Sequence, residues 1–412
     1  MASNQLSDIA EIVMGQSPSG ETCNQNGEGT PLLNGPTEFG PHHPSPVQFT
    51  TDARKRAKPG DLLFCVRGST GRMNWADQEY AIGRGVAAIR HRTNPQLQPL
   101  IRGLIEGQLS ELLQSATGST FPNVSARQLA ELFIPDLSAE QMELCAELLS
   151  SLDDKIELNR RTNETLEEMT RATFKDWFVD FGPIRAKAES RAPYLAPEIW
   201  DLFPDALDDE DKPVGWRQGT LADVADSPRR GISPADVAED TPYIGLEHMP
   251  RRSIALSEWE GAGKVTSNKS VFKKGEFLFG KLRPYFHKVG FAPLDGICST
   301  DIVVVIPRAP EWGAFTLACM SSDEFVDYTD QTSTGTKMPR TSWKTMGQYK
   351  VCLPSEQPAR AFQSVAQPLL DRVGANIHEA RALAQTRDLL LPKLMSGEIR
   401  LVEAEKVVEA VA

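Results

Sequence analysis

The chain has 412 residues, 40% hydrophobic and 24% charged, enough for two to four domains with cores of their own. It holds no apolar run near the roughly 20 residues of a membrane-spanning helix, and no basic cluster leads into an apolar core within Met1 to Ser7, so no membrane partner and a cytoplasmic location are expected. Its net charge of −12 argues against a nucleic-acid binder until the distribution is read: residues 1–135 hold 11 basic and 12 acidic side chains and 216–354 hold 17 and 16, whereas 136–215 hold 9 and 20.

In chain order, residues 1–137 read as a first mixed α/β unit with a β-rich stretch at Asp61 to Arg67. Residues 138–182 follow as a long helix, entered by Ser138 with Gln141 three residues on and left at Gly182-Pro183. Its apolar seam runs through Met142, Cys145, Leu149, Leu152, Ile156, Asn159, Asn163, Leu166, Thr170, Thr173 and Trp177, with an Asn pair in the middle of the kind that fixes register. At 1.5 Å per residue such a helix reaches about 60 Å, far beyond a domain of this size.

Residues 183–215 read as an acidic, Pro-rich linker whose Phe203 to Pro213 part is a solvated connector, and 216–355 as a second α/β unit with a β-rich stretch at Gly296 to Pro307. A second long helix is expected over 356–397, with Phe362, Val365, Leu369, Val373, Ile377, Leu383, Leu390 and Leu394 on its seam, then a tail over 398–412. The two helices are expected to pair antiparallel, joining the two units in a pseudo-two-fold arrangement. The fold class is α+β.

The two units repeat each other. Leu6, Asp8, Ile9, Ala10 and Glu11 are answered by Leu221, Asp223, Val224, Ala225 and Asp226, and Gly60 to Phe64 by Gly275 to Phe279, each 215 residues on. Arg67 is answered by Arg283, and Gly118, Pro122 and Ser125 by Gly335, Pro339 and Ser342.

Catalytic motifs fail on inspection. Gly275, Gly280 and Lys281 begin a phosphate-loop pattern, but Leu282 stands where a hydroxyl must hold magnesium. Asp205, Glu210 and Lys212 lack the paired strands that present a nuclease's carboxylates. Ala192-Pro193-Tyr194 and Thr241-Pro242-Tyr243 lack the second Pro of an amino-methyltransferase tetrapeptide. The six cysteines stand singly, which argues for buried structural thiols over zinc ligands or disulfides, and no metal site is expected.

Binding is better supported. Arg67, Ser69, Arg72 and Arg84 lie in Gly-punctuated loops of the first unit. In the second, Lys281, Arg283, Tyr285 and Lys288 belong to a Lys-rich segment starting at Lys264 that contains Glu276 as its one acid. The repeated Gly-to-Pro turns add Ser119 and Thr120 in one unit and Thr336, Lys337 and Arg340 in the other. These are candidate contacts to double-stranded DNA.

The chain resembles the specificity subunit of type I restriction-modification systems. The likeness is carried by Gly60-Asp61-Leu62-Leu63 with Arg67-Gly68-Ser69, the Gly118 to Pro122 turn, Asn159 to Trp177 with Phe178-Val179-Asp180-Phe181, Leu195 to Trp200, Gly215-Trp216, and Leu390 to Leu394 with Ser396-Gly397-Glu398. The resemblance implies two target recognition domains, each reading half of a gapped site. It implies a spacer coiled coil that sets the gap and docks two modification subunits, with restriction subunits as further partners. The chain itself would be non-catalytic; S-adenosylmethionine, ATP and magnesium would act on the partners. Two alternatives stay open, a specificity subunit of a modification-only or phage-defence complex and a coiled-coil scaffold that binds proteins only.

Overall fold

A computed structural model of the chain describes residues 4–40, 42–116, 123–335 and 337–396. It divides into two compact units, the first running to Glu157 and taking in the chain from Ala382, the second spanning Leu158–Arg381.

Each unit is built on the same four-stranded antiparallel sheet. In the first the order is Ala10–Met14, Val86–His91, Leu62–Cys65, Met73–Trp75, and in the second Ala225–Asp226, Ile302–Pro307, Phe277–Gly280, Val289–Phe291. The registers agree, with Leu62 opposite Ile89 and Phe277 opposite Val305. Local devices repeat as well. Gln5 N–H donates to the Asp8 carboxylate at 2.8 Å ahead of the helix Leu6–Ile9, and Thr220 N–H to Asp223 at 2.7 Å ahead of Leu221–Val224. Gly60 and Gly275 take φ of 85° and 83° in the turn before the central strand, which favours glycine there.

The central strand is buried on both faces, so its two-residue period sorts it between layers. Leu62 and Phe64 pack with the helices, while Leu63 and Cys65 pack toward a second, five-stranded sheet. Phe277 and Phe279 face the helices of the second unit and Leu278 its second sheet. That second sheet departs from strict repetition. Arg56–Ala57, Tyr80–Ile82, Thr30–Leu33 and Gln48–Thr50 are matched in order by Lys269–Phe272, Gly296–Cys298, Pro242–Ile244 and Glu260–Gly261. The fifth strand, however, sits at opposite edges: Cys23–Asn24 beside Gln48–Thr50, but Gly231–Ile232 beside Lys269–Phe272. The stretch Gly296 to Pro307 is therefore two strands in two sheets, turned at Ser299 to Asp301.

The first long helix spans Ala139–Phe174 and closes in a π-helical turn at Lys175–Val179; the second spans Glu356–Ser396. Ser138 and Gln141 form the expected reciprocal cap, at 2.8 and 3.2 Å. Within the first unit Cys145, Leu149 and Leu152 share a core with Leu383, Leu390 and Leu394, and Arg387 donates to Asp153 at 2.6 Å. Within the second, Asn376 Nδ2 donates to Asn163 Oδ1 at 2.8 Å and Asn159 to Glu379 at 2.9 Å, so residue numbers fall on one helix as they rise on the other and the pairing is antiparallel.

Two expectations need correction. The stretch 183–215 is more than a linker, and its Phe203 is not solvated: Ile184 and Phe203 are buried in the core of the second unit, where Trp177 meets Phe203 at 5.2 Å. Apolar side chains spaced along an acidic segment are enough to fold it back. On the second helix Leu370 takes the core position assigned to Leu369, which is only partly buried. On the first, Ile156 and Leu166 are partly buried and pack against the cores as expected, and Glu167, assigned no role, is 5% exposed. Val373 and Ile377 lie in the core as expected. Cys65, Cys145, Cys298 and Cys319 are buried free thiols. No helix among the described residues is long and apolar enough to cross a membrane.

Candidate nucleic-acid interface

In the first unit the loops at one end of the sheets are tied into a single surface. Val66 N–H donates to the Gly85 carbonyl and Gly83 N–H to that of Leu33, at 2.9 and 2.8 Å, while Gln16 N–H donates to Ile82 at 2.9 Å. The packing is tight enough that a Cβ on Gly85 would lie 2.2 Å from the Asn34 carbonyl. Arg67, Ser69, Arg72 and Arg84 are all exposed here. Arg84 reaches Ser17 Oγ at 3.4 Å and Arg67 Nε reaches Asn123 Oδ1 at 3.2 Å. Arg72 is drawn back onto the Pro36 carbonyl at 3.2 Å, where it braces its own loop. Ser119 and Thr120 lie outside the described residues.

The equivalent end of the second unit collects a comparable set. Lys281 N–H donates to Asp301, Arg283 N–H to Pro339 and Thr341 N–H to Lys281, at 2.9, 2.7 and 3.0 Å, which brings Lys281, Arg283, Lys337 and Arg340 onto one loop cluster. Arg340 Nε lies 3.4 Å from Asp301. Tyr285 is 49% exposed and packs on Phe286 at 4.7 Å between centroids. Arg251 covers the Phe286 ring at 4.2 Å and Arg283 approaches it at 5.9 Å. Thr336 lies outside the described residues.

The structure thins the Lys-rich segment. Lys288 points inward, its ammonium donating to the Leu246 carbonyl, and burial pushes its pKa down. It is a brace, not a free phosphate ligand. Lys273 and Lys274 immediately precede Gly275, at the far end of strand Phe277–Gly280 from Lys281, and Lys273 pairs with Asp295 at 2.9 Å. Adjacency in sequence is thus broken by a strand that carries successive residues in opposite directions. Arg251 and Arg252 went unrecognised in the sequence reading, although their placement after Met249-Pro250 marks a turn that presents two cations.

The arrangement suits recognition. Arg and Lys on braced loops can hold phosphates or read guanine, and an exposed Tyr can stack. Gly275 and Gly280 stand at opposite ends of a strand, so they cannot form a phosphate loop. Asp208 accepts from the N–H groups of Glu210 and Lys212 at 2.9 and 3.0 Å, which spends that carboxylate on a turn and holds its pKa below the ordinary value. The group nearest to a metal-ligand set among the described residues is Glu247, His248 and Glu260, whose ligand atoms lie within 4.8 Å of one another. His248 Nδ1 is already occupied by Gly245 N–H at 3.0 Å, and both carboxylates are exposed.

Comparison with known proteins agrees with this geometry. Residues 1–168 match the type I restriction modification DNA specificity domain. The chain is 25% identical to the type I restriction enzyme HindI specificity subunit of Haemophilus influenzae, over 84% of this chain and 88% of that one. It is 26% identical to the MjaIX specificity subunit of Methanocaldococcus jannaschii, over 72% and 67% of the two chains. Its fold is similar to the crystal structure of the type I restriction-modification S subunit from M. genitalium, with a TM-score of 0.53, 16% identity and 96% of each chain covered. Residues 1–168 thus match the type I restriction modification DNA specificity domain, and over most of its length the chain is similar to specificity subunits of type I restriction enzymes.

Proposed function

We propose that the two units read the two halves of a bipartite DNA site, and that the paired long helices set the gap between the halves and dock two modification subunits. Methyl transfer from S-adenosylmethionine to adenine, and ATP- and magnesium-dependent cleavage where restriction subunits join, are assigned to the partners; the chain acts in the cytoplasm and contributes recognition alone. The observation that carries this reading is the same sheet presenting the same loop end twice with different side chains, Arg67 and Arg84 in one unit and Lys281, Arg283 and Tyr285 in the other. A common scaffold with divergent loops is what two readers of unlike half-sites require.

Mapping methylated adenines genome-wide in cells that express the chain with its modification subunit tests the reading. A motif of two short blocks separated by unread bases is expected. A continuous motif would sink the two-reader arrangement. Because the chain is acidic overall, the isolated protein is expected to bind DNA weakly and to gain affinity on assembly with partners that complete a basic clamp.

A further inference from the structure

The recognition loops of the second unit rest on a buried carboxylate that the activity itself does not call for. Glu167 lies on the first long helix with 5% of its surface exposed. It accepts from Ser253 Oγ at 2.8 Å, Ile254 N–H at 2.9 Å and Ala255 N–H at 3.2 Å, three donors from consecutive residues. A buried carboxylate is costly unless several donors satisfy it, and a hydrophobic residue in this seam would avoid the cost altogether. Burial pushes its pKa up, opposed by the hydrogen bonds from residues 253–255 and by the nearby Arg171 charge.

The segment it grips leads directly into the candidate interface. Arg252 N–H donates to the His287 carbonyl at 2.9 Å, and Arg251 lies against Phe286, between the Arg283 and His287 positions in the chain. On the other side of the grip, Phe291 N–H donates to the Ile254 carbonyl at 3.2 Å. Three non-glycine residues in this small region, Arg252, Arg283 and His287, hold left-handed backbone with φ of 58°, 53° and 50°. Such conformations persist only where the surroundings over-determine them, and they gather at ligand clamps. The first unit shows a parallel device: His42, whose carbonyl accepts from Trp75 N–H at 2.9 Å as that of Ile254 does from Phe291, lies 3.9 Å from Glu157 of the same long helix.

We propose that Glu167 is a positioning residue for base recognition, fixing residues 253–255 to the long helix so that Arg251, Phe286 and Arg283 are held in one reading geometry. It touches no DNA; it sets where the touching residues stand. The inference rests on the second unit being a DNA reader.

The test is the methylation map of the assembled complex carrying Glu167→Ala, Glu167→Gln or Ser253→Ala, with complex yield measured in parallel. Glu167→Ala is expected to leave the half-site read by the first unit unchanged and to lower discrimination against single-base mismatches in the other half by about tenfold, the scale of one lost set of charge-assisted hydrogen bonds. Glu167→Gln, which keeps one acceptor, falls between Ala and wild type, and Ser253→Ala shows a smaller loss in the same half. Unchanged discrimination in all three variants overturns the proposal. So does an equal loss in both halves, since that is the signature of a residue that only supports folding. Should Glu167→Ala fail to assemble, the Gln and Ser253 variants decide between the same two outcomes. A wild-type motif that is not bipartite would instead remove the reading on which the proposal stands, whatever the variants do.

Discussion

At the scale of single residues, the hydrogen-bond partner separates readers from braces more sharply than charge does. Arg283 and Lys288 are five positions apart and both cationic, yet Arg283 stands over Phe286 in the loop cluster while Lys288 is drawn to the Leu246 carbonyl. Arg283→Ala is expected to relax selectivity at one base of one half-site and to cost about 1–3 kcal/mol of specific binding, measured by competition between matched and mismatched duplexes. Lys288→Met should leave that selectivity intact. A pH effect belongs to this scale too. His91 Nδ1 accepts from Asn94 N–H at 2.9 Å, and burial pushes its pKa below the ordinary 6.5. A depressed pKa means stability that is present above 6.5 and lost as pH falls through the folded-state value. Thermal stability should therefore decline more steeply for wild type than for His91→Asn as pH is lowered below 6.5, measured by thermal melts along a pH series. None of this inward bonding is visible in the sequence, because a Lys or His looks alike whether its partner is water or a carbonyl brought in from 42 residues away.

At the scale of elements, the helix pair combines legible and illegible parts. Heptad spacing pointed to Leu149, Leu152, Val373, Ile377 and Leu383, all of which are buried. It could not separate Leu369 from Leu370, since one position of rotation decides which faces the partner, and it passed over Glu167 because a carboxylate is not a seam residue on composition. The Asn163 and Asn376 pair, both buried, tests the role of polar seam positions. Asn376→Ala alone strands Asn163 and is expected to cost about 1–3 kcal/mol in denaturant unfolding. Replacing both by Leu should recover most of that loss while loosening register, seen as a less uniform site spacing in the methylation map. The segment after the first helix makes the complementary point. Trp216 is 8% exposed amid Phe178, Phe181 and Phe203, so Trp216→Ala should destabilise the second unit by about 3–5 kcal/mol, although Gly215, Arg217 and Gln218 beside it carry no apolar pattern.

At the scale of the whole molecule, duplication is the organising fact. Exchanging residues 1–135 for the equivalent domain of a relative should change one half of the recognised site and leave the other half as it was, as read from methylated adenines in cells. The sequence by itself determined the repeat, the two long helices, the partition of charge and the absence of a recognisable catalytic motif, because periodicity, caps and turn residues are local and survive without partners. Only the tertiary structure decided which cations face outward, that the acidic stretch 183–215 completes a core, that the fifth strand of the second sheet changes edges between units, and that Glu167 grips residues 253–255. Those outcomes depend on contacts between residues far apart in the chain, where burial and competition for hydrogen-bond partners, not local propensity, choose among arrangements.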